Sequence, residues 1–411
     1  SNNHGLDPGT PTWPARVAET GYQTAAIGKM HFIPWDSRQG FEERISAEDK
    51  RHTYLQDDFA KFLHNHGHER VHPTTNTGYF ESLGAPVTPL PKRFHVDGFT
   101  GDQAAAWLAR RGGAPFAVWA SFAGPHDPYD PPEELAEMYA DAPIPAPIGS
   151  RAELAHKPRA QRRAGPEALK NPMFQIDPSQ ATPEQYRRWR QHYYANISLI
   201  DEGIGKMLAA LEATGALDRT LIIFTSDHGD ALGDHGLAYK SFFYESMAHV
   251  PLIVRGPGVA AGQRCPALVS LLDLVPLFYR TCGLTPPRTL EGCDLSPLLA
   301  DPAGTIRDVV YSENLGQAMV RDERYKYAHY ADGDCELYDL AADPTEEHNL
   351  AAEADYQGEV ARLRALLLDH TLRTHQQRAK KVERPKEPAR ARLDAAYQRQ
   401  RERAQARAQE T

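Results

Sequence analysis

Thr220-Leu-Ile-Ile-Phe-Thr-Ser-Asp-His-Gly-Asp230 is an apolar run that breaks off into a carboxylate, an imidazole and a glycine. Its apolar half shows no alternation, which is the pattern of a strand covered on both faces rather than of one half-exposed to water. Three other stretches repeat the layout. Thr24 to Ile27 leads into Gly28-Lys-Met-His31, and Phe116 to Phe122 leads into Gly124-Pro-His-Asp-Pro-Tyr129. Val250 to Val254 leads into Arg255-Gly-Pro-Gly258. All four are expected to be central parallel strands. Helical patterns at Pro11 to Thr20, Asp102 to Arg111 and Glu184 to Thr214 alternate with them, the last stopped by Gly215. Such alternation predicts a doubly wound α/β fold, where ligands collect beyond the carboxyl ends of the strands. Lys29, His31, His126, Asp227 and His228 all fall there.

After Arg307 the pattern changes to short alternating strands, at Val309 to Glu313, Ala318 to Arg321, Tyr325 to His329 and Glu336 to Asp339, then a helix at Gln357 to Leu372. The expected organisation is an α/β catalytic domain over 1–305, a small antiparallel α+β subdomain over 306–374, and a charged tail over 375–411, disordered or a solvated helix. Pro34 to Asp97 reads as an irregular excursion with one helix near Leu55 to His64, a place where selectivity often resides. Pro131 to Pro183 reads as a surface insertion.

The 411 residues are 41% hydrophobic and carry a formal net charge of -9, which suits a globular protein and argues against a polybasic nucleic-acid binder. No apolar run is long enough for a membrane span. Four cysteines without CxxC spacing, Cys265, Cys282, Cys293 and Cys335, argue against a zinc ribbon or a disulfide scaffold. They favour a reduced, cytoplasmic compartment, with a lost signal peptide as the alternative.

A carboxylate and an imidazole at one strand end can point together into a cation site, although an isolated Asp227-His228 pair more often caps a turn. Downstream, Leu232-Gly-Asp-His-Gly236 and then Lys240 bring a cation and further donors to the same loop. That combination suits an anionic ester. Lys29 and His31 are two apart, so an extended chain would send both to one face. Lysine supplies a point charge, and an imidazole can exchange protons near neutrality. His126 is expected to be held rigid by its flanking prolines. The histidines at 64, 66, 68 and 72 read as a solvated stretch, Cys265 as a packed thiol before a strand at 267–270, and Asp343 to Glu346 as solvent-facing.

Taken in order, Gly28-Lys-Met-His31, Pro125-His126, Ser226-Asp-His-Gly-Asp230, Gly233-Asp-His-Gly236 and Lys240 resemble the sulfatase family of the alkaline phosphatase superfamily. Val250 to Gly258, Leu271 to Pro276 and Glu336 to Leu340 are similar to its later segments. The resemblance implies an alkaline-phosphatase-like, mostly parallel sheet and hydrolysis of a small-molecule sulfate ester. It implies one divalent metal ion (calcium, manganese, magnesium or zinc) on Asp227 and His228, and sulfate binding by Lys29 and Lys240. It further implies that His31 orients the nucleophile and that His126 contacts sulfate or aids the leaving group. The family nucleophile is a formylglycine made from cysteine in Cys-x-Pro-Ser-Arg, and its first strand carries paired aspartates. Neither occurs here, so the resemblance implies a missing leading segment. His228 stands where many members have Asn, as in some relatives acting on choline sulfate or phosphonate esters. Phosphonate or phosphate ester hydrolysis is therefore the alternative, and a nucleophile-less binding module a third reading.

Overall fold

Strand β1 (Gln23–Gly28) is the central and most deeply buried strand of a three-stranded parallel sheet, which is why it carries no charge and is apolar from Ala25 onward. In this computed structural model, which describes residues 5–6, 9–111, 113–168 and 181–381, β1 pairs in parallel with β2 (Glu43–Ser46) and β3 (Phe116–Ser121). Register sets Gly28 opposite both Ser46 and Ser121, so the three strands end level and their loops open on one side. Strand β2 lies inside the stretch expected to be irregular. Its Glu-Arg-Ile-Ser is too short and too polar for a periodicity reading to find.

Helix α1 (Trp13–Ala18) precedes β1, and α2 (Asp58–Asn65) follows β2, capped by Asp57. Helix α3 (Val96–Ala109), which starts six residues earlier than its amphipathic stretch suggested, packs on one face of the sheet beside a longer helix. Short α4 (Glu133–Ala136) and α5 (Arg159–Ala168) intervene before that helix, α6 (Pro183–Ala213). A Thr182/Gln185 capping box and Pro183 in the first turn start α6, and Gly215 in the left-handed region ends it. Helices α3 and α6 cross where glycine meets glycine, since a Cβ on Gly101 would sit 2.7 Å from the Gly203 Cα. Ala25, Ile27, Ala104, Trp107, Leu108 and Leu211 fill the space between sheet and helices. Each large member contributes about 1.5–3 kcal/mol by leaving water.

Strands β4 (Ile222–Thr225) and β5 (Leu252–Arg255) depart from expectation: they are antiparallel to each other. Between them lie the site loop and short α7 (Glu245–Ala248), with no crossover helix to carry the chain back to the starting edge. Ile222 nevertheless joins the α3/α6 core. The two strands form a separate two-stranded ladder, and Phe224 and Ile253, paired across it, are 39% and 62% accessible, so it is not covered on both faces as its apolar sequence implied. Helix α8 (Leu274–Thr281) meets α1 on the opposite face through Trp13 and Phe278, and α9 (Ser296–Ala300) follows.

Strands β6 (Val310–Asn314), β7 (Gln317–Arg321), β8 (Tyr325–Tyr330) and β9 (Cys335–Asp339) form an antiparallel meander. Helix α10 (Gln357–Lys381) packs on it through Leu363 and Leu367. The tail expected over 375–411 lies largely outside the described residues, apart from the last turns of α10. The supposed surface insertion is partly a bridge. Buried Lys157 donates to the Tyr338 hydroxyl, and buried Gln161 to Glu336, tying it to the meander. Glu346, expected in solvent, is 2% exposed and ion-paired with Lys326. Cys265 is exposed, and 267–270 form no strand. Among the described residues no helix is long and apolar enough to cross a membrane.

Candidate active site

The loop after β1 turns on a glycine that could be nothing else. Gly28 has φ +103°, and a Cβ there would lie 2.0 Å from the Ser121 carbonyl oxygen. The Lys29 N–H donates to that same oxygen at 2.8 Å, binding this loop to the end of β3. His31 is itself left-handed, with φ +51°. The segment is therefore not extended, and its two side chains meet by a turn rather than by alternation. Both approach Asp49: Lys29 Nζ is 3.5 Å and His31 Nε2 4.0 Å from Asp49 Oδ2. Burial, reinforced by Lys29, pushes His31 down to about 4, so its ring is neutral at pH 7.

After β3, His126 Nδ1 lies 2.8 Å from the Asp127 carbonyl, which can only accept, so Nδ1 carries the proton. Nε2 is left as a lone pair, and Lys240 Nζ donates to it at 2.9 Å. Burial, with Lys29 and Lys240 acting against the pull of Asp127, pushes His126 down to about 4.

The loop after β4 carries the rest. Gly229 donates to the Met247 carbonyl, and a Cβ on it would fall 1.9 Å from the Ser246 carbonyl oxygen. The half-buried Asp230 carboxylate accepts from the Tyr129 hydroxyl and from the N–H groups of Leu232 and Tyr239, which fixes the segment delivering Lys240. Burial pushes this carboxyl up to about 6. Tyr239 (φ +63°) and Ser241 (φ +111°) flank Lys240 in the left-handed region, where a non-glycine residue persists only when its surroundings impose it. Burial, then Lys29, lowers Lys240 from the ordinary lysine value.

His228 donates Nδ1–H to the Gly229 carbonyl at 2.7 Å, so its Nε2 is also a lone pair, 3.5 Å from Asp227 Oδ2. Two acceptors face each other with no proton between them, which is an arrangement suited to a cation. Desolvation by its neighbours pulls the Asp227 carboxyl up, but the charges of Lys29 and Lys240, with the His228 backbone N–H that it accepts, outweigh it and hold it below the usual range. Its side chain remains 82% accessible. The His126 and His228 ring centroids are 6.4 Å apart.

The six residues singled out from the sequence thus converge as two linked groups, Lys29/His31 and His126/Lys240/His228/Asp227. The other donors expected on the last loop do not arrive. Asp234 pairs with Arg190, and His235 stacks on Tyr244 at 4.0 Å. His66 and His68 lie against Phe94 at the surface. No group of three or more His, Cys, Asp or Glu suited to a metal occurs among the described residues. Sequence reasoning missed Asp49 and Arg51, because the strand that presents them was missed.

The sulfatase family model matches residues 2–284, and one described as N-sulphoglucosamine sulphohydrolase, C-terminal, matches 233–373. The chain is 32% identical over 370 residues to the choline-sulfatase of Rhizobium meliloti, covering 83% of this chain and 67% of that one. It is 28% identical over 381 residues to the arylsulfatase of Clostridium perfringens, covering 86% of this chain and 76% of that one. Among solved structures, the phosphonate monoester hydrolase of Agrobacterium radiobacter superposes with a TM-score of 0.73 at 27% identity, covering 93% of this chain and 82% of that one.

Proposed function

Because the chain belongs to the sulfatase family of the alkaline phosphatase superfamily, we propose that it supplies the charge-binding part of a sulfate ester hydrolase site. The observation that carries this reading is the contact of Lys240 with a neutral His126, beside Lys29 and the facing lone pairs of Asp227 and His228.

Lys29 and Lys240 would neutralise the oxygens of the transferring sulfuryl group, in a site where burial already makes a second ammonium costly without an anion. The proton that Lys240 shares with His126 Nε2 would pass to the leaving alkoxide. Neutral His31 can hydrogen-bond an attacking hydroxyl without adding positive charge. Asp227 and His228 would hold a divalent ion. The imidazole tilts preference toward manganese or zinc over calcium or magnesium, and further ligands would come from outside this pair. When bound, that ion would withdraw charge from the transferring group and a formylglycine would supply the attacking hydroxyl. No Cys-x-Pro-Ser-Arg occurs in these 411 residues, so the formylglycine would lie outside them.

Phosphonate ester hydrolysis is the second reading, favoured by the likeness to the Agrobacterium enzyme. The full-length gene product assayed on an aryl sulfate and an aryl phosphonate monoester separates the two. Faster sulfate release supports the proposal, and faster phosphonate cleavage replaces it. Turnover of neither, with sulfate still bound, supports a binding module.

A further inference from the structure

We infer that Glu48-Asp49-Lys50-Arg51, just past the carboxyl end of β2, is a positioning staple that registers the Lys29/His31 loop against the His126 loop. The inference rests on reading Lys29 and Lys240 as an anion site. All four side chains are charged, yet Glu48 and Asp49 are 2% and Lys50 and Arg51 9% accessible. Burying four adjacent charges is costly unless each is paired, and each is.

The pairing has a direction. Glu48 is ion-paired with Arg44 of β2 at 2.9 Å and also accepts the His31 backbone N–H at 3.2 Å, and Asp49 takes Lys29 at 3.5 Å. Lys50 donates to the Pro128 carbonyl and to Asp130. Arg51 joins the two sides. Its Nε and Nη2 donate to Asp49 at 3.0 and 3.1 Å, Nη1 donates to Asp127 at 3.4 Å, and Nη2 lies 3.5 Å from His126 Nε2. Two residues therefore face the β1 loop, two face the β3 loop, and the Asp49–Arg51 fork couples them. Parallel pairing of β1 with β2 sets the height of the staple, since the Ala47 N–H donates to the Gly28 carbonyl.

Positioning and simple electrostatics give opposite signs for one substitution. Asp49 is a negative charge beside Lys29, so removing it should tighten anion binding if charge alone matters. A staple predicts the reverse, because Lys29 loses the carboxylate that aims it. Inorganic sulfate is titrated calorimetrically into the chain and into Asp49→Asn and Arg51→Lys, with hydrogen exchange followed by mass spectrometry on the same samples. Asp49→Asn should weaken sulfate about tenfold, and Arg51→Lys, which keeps the charge but not the fork, should weaken it several-fold. In both variants exchange should quicken together at 28–31 and 123–130. Unchanged or tighter sulfate binding in Asp49→Asn, or exchange that rises in one loop alone, overturns the inference. If the unaltered chain binds no sulfate, the anion-site reading fails, and exchange by itself decides whether the staple exists.

Discussion

Lys240 Nζ donates to His126 Nε2 across 2.9 Å, joining the loop after β4 to the loop after β3. The Asp127 carbonyl holds the His126 proton on Nδ1, and the bare Nε2 in turn holds the Lys240 ammonium, so the two side chains act as a pair. Replacing both should therefore cost less than the sum of the separate changes. In a double-mutant cycle on kcat/KM for an aryl sulfate with the full-length gene product, His126→Ala and Lys240→Ala should couple by about 1–3 kcal/mol. Additive effects would mean that the contact does not matter in the transition state.

Gly28 tests the backbone under the site. Alanine there meets both the positive φ and the Ser121 carbonyl 2.0 Å away, so Gly28→Ala should lower unfolding free energy by about 2–4 kcal/mol. Denaturant melts report it. A loss under about 1 kcal/mol would show that the β1 and β3 loops can move apart cheaply.

Asp227 and His228 should contribute unequally to divalent binding. Asp227→Ala removes the charge that offsets a cation, whereas His228→Asn keeps a neutral ligand and should shift preference from zinc and manganese toward calcium. Calorimetric titration of the three ions into each variant reads this. Equal affinities in Asp227→Ala and the unaltered chain would move the metal elsewhere.

Glu245 makes a pH prediction at the meander boundary. Burial pulls its carboxyl up, but hydrogen bonds and charge from His249, Lys326 and Arg321 prevail and hold it down at about 2, against 4.5 in the unfolded chain. A depressed folded value means that its contribution is complete above pH 4.5 and is lost as pH falls toward 2. Glu245→Gln should remove on the order of 2 kcal/mol at pH 6, and the stability difference between the proteins should shrink steadily over that acid window. A difference independent of pH would assign the loss to packing.

The legibility of the sequence has physical limits. Unbroken apolar runs announce themselves, so β1, β3, β4 and β5 were visible even though only β1 is deeply buried, and so were Lys29, His126 and Asp227 at the ends of the first three. Strand direction was not visible. Nothing in Val250 to Val254 distinguishes a parallel neighbour from an antiparallel one, and only the missing crossover helix between Asp230 and Val250 carried a hint. Polar β2 was invisible to periodicity, and Asp49 and Arg51 went with it. Tertiary contacts alone bury Glu346 and draw His235 away from the site, since a charged or polar residue carries no local sign of its partner.

The central claim is that Lys29 and Lys240 together bind a tetrahedral dianion, and calorimetric titration of inorganic sulfate into the chain tests it most directly. Each Lys→Ala variant should lose about 2 kcal/mol, a factor of about thirty in Kd, and Lys→Arg should not restore it, because a planar guanidinium cannot replace a compact ammonium in that space. Sulfate affinity unchanged in both alanine variants would contradict the claim.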